Sequence, residues 1–144
     1  MAQPLMNLAD IRWIDIPRHG DARGNLSVLE GSAFPFDVRR IFYMYGVPEG
    51  AERGGHAHVY EQQCLITLAG SFALDVSDGT RSETYVLDDP GRALHVPAMM
   101  WVRLHRFAPR TVVLVICDTL YDPLHVISDW DEFRRLNHAP SPTA

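Results

Sequence analysis

Two histidines one residue apart, His56 and His58, carry most of the chemistry that this chain of 144 residues offers. Residues i and i+2 of a β-strand point to the same face and lie roughly 6–7 Å apart along it. Imidazole has an unperturbed pKa of about 6.5, so such a pair can take a proton from one atom of a substrate and return one to its neighbour near neutral pH. One histidine alone would more often be structural; two in a fixed pattern of neighbours favour function. Arg53 and Gly54-Gly55 lead directly into the pair, and Arg39, Arg40 and Tyr43 lie on the run before it. On a regular strand Arg40 and Phe42 share one face, and Ile41, Tyr43 and Tyr45 the other. Which face is inward stays open. With Ile41 inward, Tyr43 enters the same space as the histidines and can polarise a carbonyl or relay a proton; as a core tyrosine it would only need a partner for its hydroxyl.

The elements that must position these residues read mostly as strands. Short runs of Val, Ile, Leu, Phe and Tyr alternate with Gly, Pro and Asp. The runs are Leu26–Leu29, Arg40–Val47, Gln63–Ala69, Phe72–Asp75, Glu83–Leu87, Ala93–Val96, Trp101–Arg106 and Val112–Cys117. Asp78-Gly79 marks a hairpin and Ala69-Gly70-Ser71 a tight connection. Many short strands at this spacing predict a barrel or sandwich. One helix is expected at about Asp129–Leu136, with Asp129 at its start and Arg134 and Arg135 in its last turn, where they suit the helix dipole. Residues 1–137 read as a single domain and 138–144 as a flexible tail.

The spacings form a larger pattern. Gly50 is followed by five residues, then His56-x-His58, then four residues to Gln63 and six more to Gly70. This resembles the first cupin signature, in which the slot of Gln63 is normally Glu and binds a metal with the two histidines. The second signature opens here with Gly91 and Pro97, but its second Gly slot holds Met99 and its His slot Val102. A divalent transition metal wants three or four N, O or S donors. Gln brings no charge and Val no lone pair, so no tightly bound metal is expected. His105, three residues past Val102, falls on the opposite strand face and is a poor substitute. The resemblance implies an all-β, RmlC-like cupin: an antiparallel barrel or jelly roll with one short C-terminal helix.

A closer resemblance rests on an ordered set of residues from about Ile14 to Phe133. The set is Asp21-Ala-Arg23-Gly24, Pro35-Phe36, Arg40-Ile-Phe-Tyr43, Arg53-Gly54-Gly-His56-Ala-His58, Gln63, Gly70-Ser71, Asp78-Gly79, Pro97 with Trp101, and Tyr121-Asp122. In these the chain is similar to the WxcM-like nucleotide-sugar 3,4-ketoisomerases. That resemblance implies an isomerase that moves the ketone of a dTDP-4-keto-6-deoxyhexose from C4 to C3 through an enediol, with no cofactor. His56 is then the carbon base and His58 the relay, or the reverse, with Tyr43 nearby. Arg23 and Arg53 are expected on the diphosphate or shaping the pocket, because guanidinium matches phosphate oxygens bidentately. Arg40 and Gln63 join them as substrate contacts, and Trp101 lines the sugar or base pocket unless it only packs in the core. The resemblance also implies a homodimer with exchanged N-terminal strands. The chain departs from the family in having Val59 where Lys usually follows the second histidine. It also reads Tyr121-Asp-Pro-Leu-His-Val-Ile127-Ser128 where the family often has Tyr-Asp-x-x-Asp-Tyr-Ile-Arg.

Composition narrows the alternatives. A net charge of −5 argues against a nucleic-acid binder, which would carry a basic face. The longest apolar run, Val112 to Cys117, is far too short to span a bilayer, and the N-terminus shows no signal-peptide pattern. Cys64 and Cys117 sit in apolar runs as expected buried thiols. These features point to the cytoplasm. The competing readings are a metal-dependent cupin enzyme, a non-catalytic sugar-nucleotide-binding cupin, and a 3,5-epimerase.

Overall fold

The computed structural model describes residues 7–137; the expected tail, 138–144, lies outside them. Two five-stranded sheets face each other. The first runs in the order β1 (Arg12–Asp15), β9 (Arg92–Val96), β6 (Gln63–Ala69), β11 (Val112–Cys117), β4 (Arg40–Met44). The second runs β12 (Val126–Ile127), β5 (Arg53–His58), β10 (Trp101–His105), β7 (Phe72–Ser77), β8 (Ser82–Leu87). A separate hairpin joins β2 (Arg18–Asp21) to β3 (Gly24–Ser27). The pairings within both sheets are antiparallel, as in the expected barrel.

Three apolar layers account for the sequence pattern. Between the sheets lie Leu65, Leu94, Val113 and Val115 from the first and Phe72, Leu74, Val76, Val102 and Leu104 from the second. Each comes from every other position of its strand, the period that a pleated strand imposes. Outside the first sheet, Cys64, Ile66 and Ile116 pack under Leu29, Phe34 and Phe36. β6 is therefore covered on both faces, which is why it reads as an unbroken apolar run. Outside the second sheet, Ala57, Ile127 and Phe133 form a smaller cluster beneath α1 (Trp130–Asn137).

α1 starts where its cap residue predicts. Asp129 Oδ1 accepts from the backbone N–H groups of Asp131 at 2.8 Å and Glu132 at 3.1 Å. Phe133 and Asn137, four apart, form its buried face, and the Asn137 amide donates to the carbonyl of Asp78 in the β7–β8 turn.

Gln63–Ala69 and Val112–Cys117 are strands over the span that the sequence predicts. β1, β2, β5 and β12 are not among the predicted runs. β2 and β3 are exposed throughout, so no apolar alternation marks them, and β3 lies two residues earlier than the Leu26–Leu29 run. β12 has two residues, too few to show a period.

Candidate active site

β5 holds the histidines, and a bulge sets their direction. Against β10, Trp101 pairs with Ala57 and Val102 with His56, then Arg103 pairs with Gly54, so Gly55 is the extra residue. Gly54 and Gly55 have φ of 87° and 75°, conformations that side chains rarely adopt. The inserted residue reverses the inward-outward phase. Arg53, opposite the core residue Leu104, thus shares the inner face with His56 and His58 despite its odd offset from His56. The Gly-Gly pair ahead of the histidines is the means of putting all three on one side.

The two imidazole rings stand edge to face, 4.9 Å between centroids. Burial lowers the pKa of both below the ordinary histidine value. A hydrogen bond at the Gly54 backbone and the charge of Glu61 oppose the shift at His56. Glu61 opposes it at His58, where His56 and the Arg40 guanidinium add to it. Both rings are therefore held toward the neutral, proton-accepting form.

Next to them lies a carboxylate that sequence reasoning missed. Glu61 is 5% exposed. Its Oε1 accepts from Arg40 Nη1 at 2.5 Å and from Thr119 Oγ1 at 2.8 Å, and its Oε2 from Gln63 Nε2 at 2.6 Å. His58 Nδ1 lies 3.4 Å from Oε2. Burial by itself would raise the pKa of Glu61, but the bonds from Arg40, Gln63 and Thr119 prevail and hold it below the ordinary carboxylate value. The signal was present in Glu61-Gln62-Gln63, which puts a carboxylate two residues before the slot where metal cupins carry theirs.

Arg40 and Gln63 therefore reach the histidines, but as partners of Glu61. Arg40 also donates to the Thr119 carbonyl at 3.1 Å and lies over the rings of Phe42 and Tyr121, so it is an internal clamp and no free phosphate ligand. Arg53 points along the inner face, its Nε 3.1 Å from Met44 Sδ, and remains exposed at the mouth.

Three predicted site residues are not brought to the histidines. Tyr43 is 63% exposed and stacks on Tyr45 at 5.8 Å. The inward face of β4 is that of Arg40, Phe42 and Met44, so Tyr43 points away from the pair; polarising a carbonyl beside the histidines is corrected. Trp101 pairs with Ala57 on the outer face of the second sheet, 5.3 Å from Trp130 and 5.7 Å from Phe133. It anchors α1 and does not line a pocket around the histidines. Arg23 lies in the β2–β3 turn, bonded to Asp21 at 2.6 Å, and that hairpin pairs with no other strand among the described residues. His105 faces outward as expected, 2.9 Å from Asp75.

The donor set does not suit a divalent ion. Besides two imidazoles it offers Glu61, whose oxygens accept from Arg40, Thr119 and Gln63, and Val102 in the core with no lone pair. Val59, the departure beside the histidines, packs with Ala57, Ile127 and Phe133 on the outer face. Its N–H donates to the carbonyl of His125, itself in the divergent segment, at 2.9 Å. The two departures thus meet at the end of the histidine strand: the Val59 side chain packs on its outer face, and His125 lines a small cavity with His58.

The fold and the inward imidazole pair define a cupin barrel equipped for proton transfer. A family model described as FdtA, WxcM-like, C-terminal matches residues 9–138, and the chain belongs to that family. It is 31% identical over 116 residues to the TDP-4-oxo-6-deoxy-alpha-D-glucose-3,4-oxoisomerase of Aneurinibacillus thermoaerophilus, covering 80% of this chain and 84% of that one. It is 27% identical to the sugar 3,4-ketoisomerase QdtA of Thermoanaerobacterium thermosaccharolyticum, with a TM-score of 0.89 over 92% of this chain and 97% of that one. QdtA has been crystallised with TDP and, as a histidine variant, with TDP-4-keto-6-deoxyglucose. The fold extends to the dTDP-4-dehydrorhamnose 3,5-epimerase of Bacillus anthracis, 19% identical, with a TM-score of 0.73 over 84% of this chain and 79% of that one.

Proposed function

We propose that this chain is a sugar-nucleotide 3,4-ketoisomerase acting on a dTDP-4-keto-6-deoxyhexose in deoxysugar biosynthesis. The observation that carries the reading is the inward pair of imidazoles, held neutral by burial, in a member of this family. The reaction needs only proton carriers. His56 takes the C3 proton, the C3–H pair becomes the C3=C4 bond, and the C4 carbonyl π pair moves to O4; neutral His58 takes the O3 proton and passes it to O4. The enediol then collapses. The O3 electron pair forms the C3 carbonyl, and the C3=C4 pair takes a proton at C4 from protonated His56, which exchanges with solvent and is left neutral again. C3 is oxidised and C4 reduced within one molecule, so no external oxidant or cofactor enters.

Arg53, exposed on the same face as the histidines, is available to the diphosphate. Arg23, exposed on its hairpin, would serve the diphosphate across a homodimer with exchanged N-terminal strands. Two features support that assembly: the β2–β3 hairpin is unsupported by its own sheets, and the outer face of β4 leaves Ile41, Tyr43 and Tyr45 exposed. Among the described residues no helix is long and apolar enough to cross a membrane, and two buried free thiols suit a reducing compartment, which supports a cytoplasmic enzyme.

Incubation with dTDP-4-keto-6-deoxyglucose in deuterated water tests the proposal. One deuterium is expected at C4 of a 3-keto product, and none with His56→Asn. Exchange at both C3 and C5 would make the protein an epimerase, a stoichiometric tightly bound metal would make it a metal enzyme, and no exchange at all a binding protein.

A further inference from the structure

The two histidines stand in different surroundings. His56 has a hydrogen bond at the Gly54 backbone and feels the Glu61 carboxylate through its charge. His58 turns Nδ1 to Glu61 Oε2 at 3.4 Å. Glu61 Oε1 is filled by two close donors, Arg40 Nη1 and Thr119 Oγ1. Oε2 has one close donor, Gln63 Nε2, and a long one, Arg40 Nη2 at 3.4 Å. Each oxygen thus has two donors, and the Cys117 thiol also bonds to the group; toward His58 the carboxylate acts as a buried negative charge 3.4 Å from Nδ1. The bonds that hold Glu61 ionised leave it with no proton to give. That charge favours a proton on Nδ1, the ring nitrogen that lies against it.

We infer that Glu61 is a positioning residue: it fixes the Nδ1–H tautomer of His58, leaves Nε2 as the proton-accepting nitrogen, and stabilises the imidazolium formed while His58 carries a proton between O3 and O4. The inference rests on the ketoisomerase reading and gives a physical reason for its division of labour. The relay is the histidine that can bear a full charge, because a carboxylate lies against it. The carbon base is the one without such a partner, which releases its proton readily. Gln63, in the slot where metal cupins carry their ligand carboxylate, here orients a carboxylate displaced by two residues. The other groups around His58 are Arg40 on β4, His56 on its own strand, and Tyr60, Asp122 and His125 around the small cavity that it lines.

Two measurements test this. In the unaltered protein, labelled with 15N at histidine, neutral His58 is expected as the Nδ1–H tautomer; the Nε2–H tautomer would overturn the inference, whatever the enzyme turns over. In Glu61→Gln the carboxylate is lost and the Arg40 charge remains beside the ring. The His58 pKa should then fall further, by about one unit. kcat should drop about ten-fold or more while KM changes less than about three-fold. An unchanged His58 titration or an unchanged kcat in a folded Glu61→Gln protein would overturn it. Should the tautomer and its shift appear in a protein that does not exchange deuterium at C4, the positioning role stands and the ketoisomerase reading falls.

Discussion

At the scale of single residues the site is a pair of imidazoles made more acidic by burial, and its pH dependence follows from that direction. The acceptor form of each histidine is the neutral one. Burial lowers both pKa values below about 6.5, so the neutral rings persist to a lower pH than free imidazole allows. kcat/KM is therefore expected to be flat through neutrality and to fall only as the pH drops below about 6.5. A pH–rate profile with the fold followed by circular dichroism checks this; an acid limb that begins above that value would contradict it. The histidines were legible because i, i+2 spacing on a strand needs no tertiary information. Tyr43 was not, because both faces of β4 are apolar enough to be inward and only the packing of Phe42 and Met44 decides between them. Glu61 was hidden for a different reason. It precedes β6, so no strand period placed it, and its burial depends on Arg40 and Thr119, distant in sequence by 21 and 58 positions.

At the scale of elements, the β5 bulge puts Arg53 on the same face as the two histidines. A regular strand would send Arg53 and His56 to opposite faces; the inserted Gly55 sends both inward. The two glycines carry different burdens. A Cβ on Gly54 would meet the Val102 carbonyl oxygen at 2.7 Å and Arg103 Cα at 3.3 Å, with backbone on both counts, whereas one on Gly55 would meet nothing within 4 Å. Both have positive φ, which costs an alanine about 1–2 kcal/mol. Gly55→Ala should lose about that much stability, and Gly54→Ala clearly more, since the β5–β10 ladder must shift as well. Urea unfolding of the two variants gives the order, and equal losses would mean that the close approach is not rigid. The sequence displayed Gly-Gly without its meaning, because the bulge is defined by pairing to β10. The same register explains Trp101. Parity with Val102 puts it on the outer face, and only α1, packed there through Phe133 and Trp130, shows what that face is for.

At the scale of the molecule, the chain leaves two things unsupported: a hairpin with every strand residue exposed, and the outer face of β4 with Ile41, Tyr43 and Tyr45. An exposed apolar face is a liability for a monomer and an interface for a dimer. In an exchanged dimer, Arg23 of one subunit would serve the histidines of the other, and that arrangement can be tested without a structure. Arg23→Ala alone should weaken substrate binding, raising KM, because an exposed guanidinium facing a diphosphate contributes binding more than chemistry. His56→Asn alone should be inactive. Co-refolding the two variants in equal amounts gives dimers of which half are mixed. Each mixed dimer then holds one site with both native residues and one with neither. At substrate levels too low for Arg23→Ala to work, about a quarter of the native activity should return. If Arg23 acts within its own chain, each site of a mixed dimer lacks one native residue and no activity returns. The mixing experiment therefore separates a hairpin that completes the partner's site from one that only holds the dimer together.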